Sequence, residues 1–262
     1  MNNNIEFRCD LCEGTNHKKL HEWEVGNFWN PASIPLTMWK CDACGLVRLY
    51  PVPLPEHLPN QGDWWAQKNG YRRNRLFKRL WEPMRYRLFG TSKSRLIKAT
   101  RKVCPSGKLL DVGCGTGTLL DEAKPYFECY GLEPSPIAAK RCREKGYNVI
   151  EDYFENVTFE NYFDAITMDS VIEHVASPTQ FLIQVHGFLK PGGVVAMLTP
   201  KYGGPASTWH RAGWNGFRHG YHTFLFSGKT LSALLEKTGF EVLSHPKRDR
   251  MLDDILILWG RK

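Results

Sequence analysis

No run in this sequence approaches the eighteen or so consecutive apolar residues of a membrane-spanning helix, so no span is expected. The opening Met-Asn-Asn-Asn-Ile-Glu-Phe-Arg-Cys carries neither a basic stretch nor an apolar one, which predicts no secretory signal and a cytoplasmic location. A disulfide framework is missing as well. Of the eight cysteines, four fall into two Cys-x-x-Cys pairs and the other four are scattered, a usage that reads as a metal site. Acid is nearly missing from one stretch. Between Tyr71 and Lys102, twelve Lys and Arg residues face only Glu82, so more than the whole net charge of +8 lies there.

What is present has an organisation. The first fifty residues hold the cysteine pairs, and a proline-rich connector from Pro51 to Pro59 follows. In the basic segment, Leu76, Phe77, Leu80, Trp81, Met84 and Leu88 recur at helical spacing, with Pro83 as a break, and a second helix is expected over Ser92–Lys102. From Gly107 onward, short apolar runs alternate with amphipathic ones. Strands are expected at Lys108–Val112, Phe127–Leu132, Tyr147–Ile150, Phe163–Met168 and Val194–Leu198, with helices between most of them. Two late strands, Phe240–Leu243 and Ile255–Trp259, have no long helix between them and should pair antiparallel. The reading is an α/β chain in three parts: residues 1–50, a zinc-ribbon-like module; 51–106, connector and basic helices; and 107–262, a mostly parallel sheet with helices on both faces.

The first strand of that sheet runs into Asp111-Val112-Gly113-Cys114-Gly115-Thr116-Gly117 and then a helix. Glycines there allow a tight turn and a close approach of ligand to backbone at a helix N-terminus. Glu133, twenty-two residues after Asp111, ends the second strand, where a carboxylate can accept hydrogen bonds from both hydroxyls of a ribose. The dinucleotide pattern Gly-x-Gly-x-x-Gly fails from either starting glycine, because its third position falls on Thr118 or Leu120.

The spacing instead resembles motif I of class I S-adenosylmethionine-dependent methyltransferases, a Rossmann-like fold with a seven-stranded sheet. Phe163-Asp164-Ala165-Ile166, Leu189-Lys190-Pro191-Gly192-Gly193 and His222-Thr223-Phe224-Leu225-Phe226-Ser227 resemble later segments of that family. The resemblance implies that Asp111, Gly113 and Gly115 line S-adenosylmethionine, that Glu133 holds its ribose, that Asp152 and Tyr153 lie beside the adenine, and that Asp169 lies near the methionine moiety.

Cys9, Cys12, Cys41 and Cys44 have the spacing of a closed four-thiolate structural zinc site. The phrase Cys41-Asp42-Ala43-Cys44-Gly45-Leu46-Val47 is similar to the N-terminal zinc-binding region of a methyltransferase subgroup. That subgroup includes sugar methyltransferases and enzymes encoded with surface-polysaccharide or natural-product pathways.

Methyl transfer is an in-line displacement that often needs a base, and histidine suits neutral pH. His174, His210, His219 and His222 are the candidates, with His174 and His222 favoured. Glu173-His174 recurs in the family. In ubiquinone-pathway members, a further Glu stands where this chain has Ser170, and that set is linked to magnesium. The aromatic, glycine-rich stretch Pro200–His222 can form a lid over the acceptor.

The expected partner is a small-molecule acceptor, a sugar or a phosphate-bearing nucleotide-linked sugar that would welcome the basic helix. Two alternatives stay open. One is an RNA methyltransferase that holds nucleic acid on the zinc module and basic helix. The other is a non-catalytic regulatory protein that keeps S-adenosylmethionine binding.

Overall fold

The computed structural model describes residues 7–26, 33–52, 91–210, 213–214, 216–217, 222–243 and 255–262. The proline-rich connector beyond Val52 and the basic helical pattern of residues 72–88 lie outside the described residues.

A seven-stranded sheet dominates. Its strands are β4 (Gly107–Val112), β5 (Phe127–Leu132), β6 (Asn148–Ile150), β7 (Phe163–Asp169), β8 (Leu189–Pro200), β10 (Glu241–Leu243) and β11 (Ile255–Arg261), in the order β10-β11-β8-β7-β4-β5-β6. The five strands from β8 to β6 run parallel, and β11 pairs antiparallel with both β8 and β10. This is the α/β methyltransferase-type sheet that the sequence led us to expect, including the antiparallel final pair.

Alternation along the strands builds a core on each face. In β8, Val195 and Met197 point to one side, against α4 (Pro178–Phe188) and α6 (Gly228–Lys237). Val194, Ala196 and Leu198 point to the other, toward α1 (Ser92–Val103), α2 (Thr118–Ala123) and α3 (Pro136–Glu144). A parallel strand covered on both faces needs such continuous apolar sequence. Strand β8 is longer than expected. The register jumps from Phe163↔Leu189 to Ala165↔Val194, so Lys190–Gly193 bulges within the strand instead of preceding it as a separate turn.

Helix starts are chemically marked. Ser135, Ser177 and Ser227 each accept a backbone N–H at the start of α3, α4 and α6. At α6 the cap is reciprocal, because Thr230 Oγ1 accepts from the Ser227 N–H at 2.9 Å. Ser227→Ala should lower the unfolding free energy by about 1 kcal/mol, read from the denaturation midpoint.

The N-terminal fifty residues hold strands that the sequence reading did not identify: β1 (His17–Trp23), β2 (Leu36–Cys41) and β3 (Val47–Tyr50). They form an antiparallel sheet, and its fourth strand is β9 (Phe224–Leu225), supplied from the far end of the chain. Cys9, Leu11, Cys41 and Leu46 share the main apolar cluster with Ile172, Phe224 and Phe226. The module is therefore built into the large domain and does not hang from it as a separate bead. The stretch after β8 contains a short helix, α5 (Pro205–His210). Of its aromatics, Trp214 and Phe217 are buried against Trp23, Leu36, Met38 and Leu49 of the small sheet, whereas Trp209 is 85% exposed. Among the described residues, no helix is long and apolar enough to cross a membrane.

Candidate active site

The chain leaves β4 toward β5 and β6 on one side, and toward β7 and β8 on the other. The β4–β7 boundary is thus the switch point, where an open α/β sheet binds ligands beyond its carboxyl ends. The acids expected to meet the cofactor stand in a row there. Asp169 closes β7, Asp111 lies near the end of β4, Glu133 follows β5, and Asp152 lies two residues beyond β6.

The glycine loop is stitched to the next strand. Gly113 and Cys114 N–H groups donate to Leu132 O at 2.8 and 3.1 Å. Gly113 has φ +67°, and a Cβ there would come within 2.8 Å of Val171 Cγ2. Gly115 has φ +55°, but a Cβ on it would meet nothing within 4 Å. The first glycine thus serves packing, and the second borders open space in which a ligand fits.

Glu133, 8% exposed, accepts from Gly115 N at 2.8 Å on one carboxylate oxygen and from Ser135 N at 2.9 Å on the other. A carboxylate has about four acceptor sites, so two remain for hydroxyl donors. Asp111 is buried and accepts from Thr167 Oγ1 at 2.9 Å. Burial pushes its pKa up to about 7, against the opposing effects of the Thr167 hydrogen bond and the Lys93 charge. Asp152 accepts from Tyr153 N and Asn156 Nδ2, both at 2.7 Å, and Tyr153 is 64% exposed. Asp169 forms an ion pair with Lys93 Nζ from α1 and accepts from Ser170 Oγ at 3.2 Å.

His174 and His222, forty-eight residues apart in sequence, come together with ring centroids 4.8 Å apart. One potential ligand atom from each of Glu173, His174 and His222 lies within 4.8 Å of the others. The cause is local pairing. Thr223 Oγ1 donates toward the carbonyls of Glu173 and Val175 at 3.0 and 2.9 Å, and Phe224 N donates to Glu173 O at 3.1 Å. β9 is in turn held by β3, with Leu49 N donating to Thr223 O at 2.8 Å. His222 Nδ1 lies 2.7 Å from Gly216 O, so it carries the proton and Nε2 is the basic nitrogen of the neutral ring. Glu173 is fully buried, with one oxygen accepting from Thr199 Oγ1 at 2.9 Å and the other meeting no partner among the described residues. Burial lifts its pKa to about 8. His210 is exposed on α5, and His219 lies outside the described residues.

The four paired cysteines also converge, with Cys9 Sγ 3.4 Å from Cys44 Sγ, Cys12 Sγ 3.5 Å from Cys41 Sγ, and all four sulfurs within 4.8 Å. Tetrahedral zinc with bonds of about 2.3 Å sets its sulfurs ~3.8 Å apart, so this set fits that ion. Between the first two cysteines, Asp10 accepts from Thr179 N at 2.9 Å, Thr179 Oγ1 at 2.6 Å and Ser177 Oγ at 2.7 Å, at the start of α4.

Lys93, Asp10, Thr167 and Thr199 escaped the sequence reading. Lys93 was hidden in a run of like charges, and nothing in the sequence singles it out from its neighbours. Arg101, in the same run, lies over the Tyr126 ring at 3.3 Å.

The site and sheet thus define an α/β domain with a glycine loop and a row of carboxylates beyond its parallel strands, and a histidine pair brought together by β9. The chain belongs to the methyltransferase domain family, whose model matches residues 71–245. Among curated proteins, it is similar to a ubiquinone biosynthesis O-methyltransferase of Actinobacillus pleuropneumoniae, 35% identical over 105 residues, covering 35% of this chain and 45% of that protein. It is also similar to one of Nitrobacter winogradskyi, 35% identical over 104 residues, covering 37% and 40%. The match thus spans less than half the length of these relatives. Among solved structures, a SAM-dependent methyltransferase from Thermotoga maritima shares the fold, with a TM-score of 0.51, 23% identity, and coverage of 71% of this chain and 97% of that one. One from Archaeoglobus fulgidus gives 0.52 and 16%, covering 70% and 100%.

Proposed function

We propose that this chain transfers a methyl group from S-adenosylmethionine to a hydroxyl of a small molecule, with the His174–His222 pair handling the acceptor's proton. The observation that carries the reading is the juxtaposition of that pair with the row of acids beyond the parallel strands. When bound, S-adenosylmethionine supplies an electrophilic methyl on a sulfonium. Glu133 offers its two remaining acceptor sites to the ribose hydroxyls, Gly115 leaves room for the nucleoside, and Asp152 with Tyr153 borders the adenine. Asp169, at the end of β7, offers a carboxylate to the cationic end of that ligand, and Asp111 lies beside it near the end of β4. His222, with its proton fixed on Nδ1, presents Nε2 as acceptor for the hydroxyl proton as the oxygen takes the methyl.

The curated relatives' names point to O-methylation of small molecules. The N-terminal Cys-x-x-Cys region points to a sugar or nucleotide-linked sugar as acceptor. Its four thiolates hold zinc in a closed, structural role.

Calorimetry tests the cofactor assignment. The purified chain should bind S-adenosylmethionine, and Glu133→Ala should weaken it by about 10- to 100-fold through loss of charge-assisted hydrogen bonds. A wild-type protein with no binding would sink the reading. His222→Ala, assayed on nucleotide-sugar and phenolic acceptors, should cost about 100-fold or more in turnover while leaving cofactor affinity intact.

A further inference from the structure

The carbonyl that fixes the proton of His222 belongs to a short turn with an aromatic residue at each end. Phe217 N closes the turn by donating to Trp214 O at 3.0 Å. Trp214 and Phe217 are both buried, in one cluster with Trp23 of β1, Leu36 and Met38 of β2 and Leu49 of β3. Their rings meet edge-on with centroids 5.6 Å apart, and the Trp23 ring lies 5.7 Å from Phe217. Gly216, between these two anchors, presents the oxygen that lies 2.7 Å from His222 Nδ1. A Cβ on Gly216 would overlap the six-membered ring of Trp214, so the indole fills the space beside Cα that a side chain would need. Gly216 has no left-handed φ, and room alone calls for glycine there. A peptide next to glycine turns easily, and a ring packed onto its Cα removes that freedom.

We infer that Trp214 is a positioning residue for the reaction, whose indole holds the Gly216 carbonyl on His222 Nδ1 and so keeps Nε2 bare to receive the acceptor's proton. This rests on the role of His222 proposed above. A neutral imidazole carries one N–H, and the hydrogen bond at one nitrogen decides which nitrogen carries it. Loss of the Gly216 bond frees the proton to move to Nε2, where the ring can no longer accept from a hydroxyl on that side. The effect reaches beyond the turn. Trp214 packs on side chains of β1, β2 and β3, so the N-terminal sheet bears on the tautomer of His222 through its core as well as through the pairing of β3 with β9.

The test reads the tautomer directly, by nitrogen-15 NMR of the histidine side chains of the full chain at about pH 9, where imidazole is neutral. The signal lost in His222→Ala identifies the ring. Wild-type His222 should carry its proton on Nδ1. Trp214→Leu, which removes the indole, and Gly216→Ala, which pushes against it, should each move a large share of the proton to Nε2. Turnover should fall by about 10-fold or more in both, with affinity for S-adenosylmethionine kept within about twofold. The double variant should lose no more than Trp214→Leu alone, because the added methyl then enters room that the indole has left. Circular dichroism and the melting temperature check folding, and Gly216→Ala keeps the indole if Trp214→Leu does not fold. A wild-type His222 with its proton on Nε2 overturns the inference. So do folded variants that keep the Nδ1–H tautomer, and losses that add up in the double variant. If His222→Ala itself costs no turnover, the proposed base is wrong, whereas a costly His222→Ala with an unmoved tautomer in both variants defeats only this inference.

Discussion

Cys41→Ser, or stripping with a strong chelator, will cost the protein on the order of 5–10 kcal/mol of stability and will loosen the chain well beyond its first fifty residues. The purified wild type should carry one zinc per chain by native mass spectrometry, and the variant none. The long reach follows from how the two cysteine knuckles are tied in. The first knuckle holds Asp10, which accepts three hydrogen bonds at the start of α4, the helix that follows Glu173-His174. The second leads within three residues into β3, which pairs with β9 immediately after His222 and Thr223. With the ion, the knuckles brace both carriers of the histidine pair. Without it, nothing but packing holds together the four sulfurs that lie within 4.8 Å of one another. Hydrogen exchange provides the local readout. Amides of residues 172–182 and 222–226 should lose protection on metal removal, while those of β4 and the glycine loop keep theirs. Loss confined to residues 9–50 would mean that the module and the histidine pair are energetically independent.

The two halves of the fold differ in how far the sequence reveals them. In residues 107–262 each structural decision is local. Leu109-Leu110, Ile166 and Val194-Val195 are apolar because both sheet faces are covered, and Ser135, Ser177 and Ser227 mark helix starts three residues from the N–H groups they cap. The small sheet is decided by pairing instead, and its fourth strand is added at long range. β1, His-Lys-Lys-Leu-His-Glu-Trp, is charged and largely exposed, and β9 is two residues long. β1 becomes a strand by pairing with β2, 13 to 24 residues away, and β9 by pairing with β3 across more than 170 residues, and no periodicity advertises either. The same distinction divides the site. The glycine loop and Glu133 were legible because a strand-turn-helix imposes their spacing. The four cysteines were legible because each knuckle is local. That His174 and His222 face each other was not, because it depends on Thr223 bonding to the Glu173 carbonyl and on β3 holding β9. Lys93 was invisible for a related reason. Its ion pair with Asp169 comes from how α1 packs against the sheet, and no local spacing marks that.

Glu173 makes the ligand-free protein less stable as pH rises, and Glu173→Gln should remove much of that dependence. The carboxyl is fully buried, and burial raises its pKa from 4.5 to about 8. Between those values the native state keeps a proton that the unfolded chain releases. Stability from this group is therefore complete below pH 4.5 and declines steadily up to about pH 8, on the order of 3–5 kcal/mol in all. Asp111, raised to about 7 by burial, adds a slope of the same sign over a lower range. Glutamine keeps an oxygen to accept from Thr199 Oγ1 and an N–H₂ where the protonated acid has its O–H, but has nothing to titrate. Wild type and Glu173→Gln should thus unfold at similar urea concentrations near pH 5, and the variant should be clearly the more stable near pH 8. Parallel curves for the two proteins would mean that a cation already compensates Glu173 in solution.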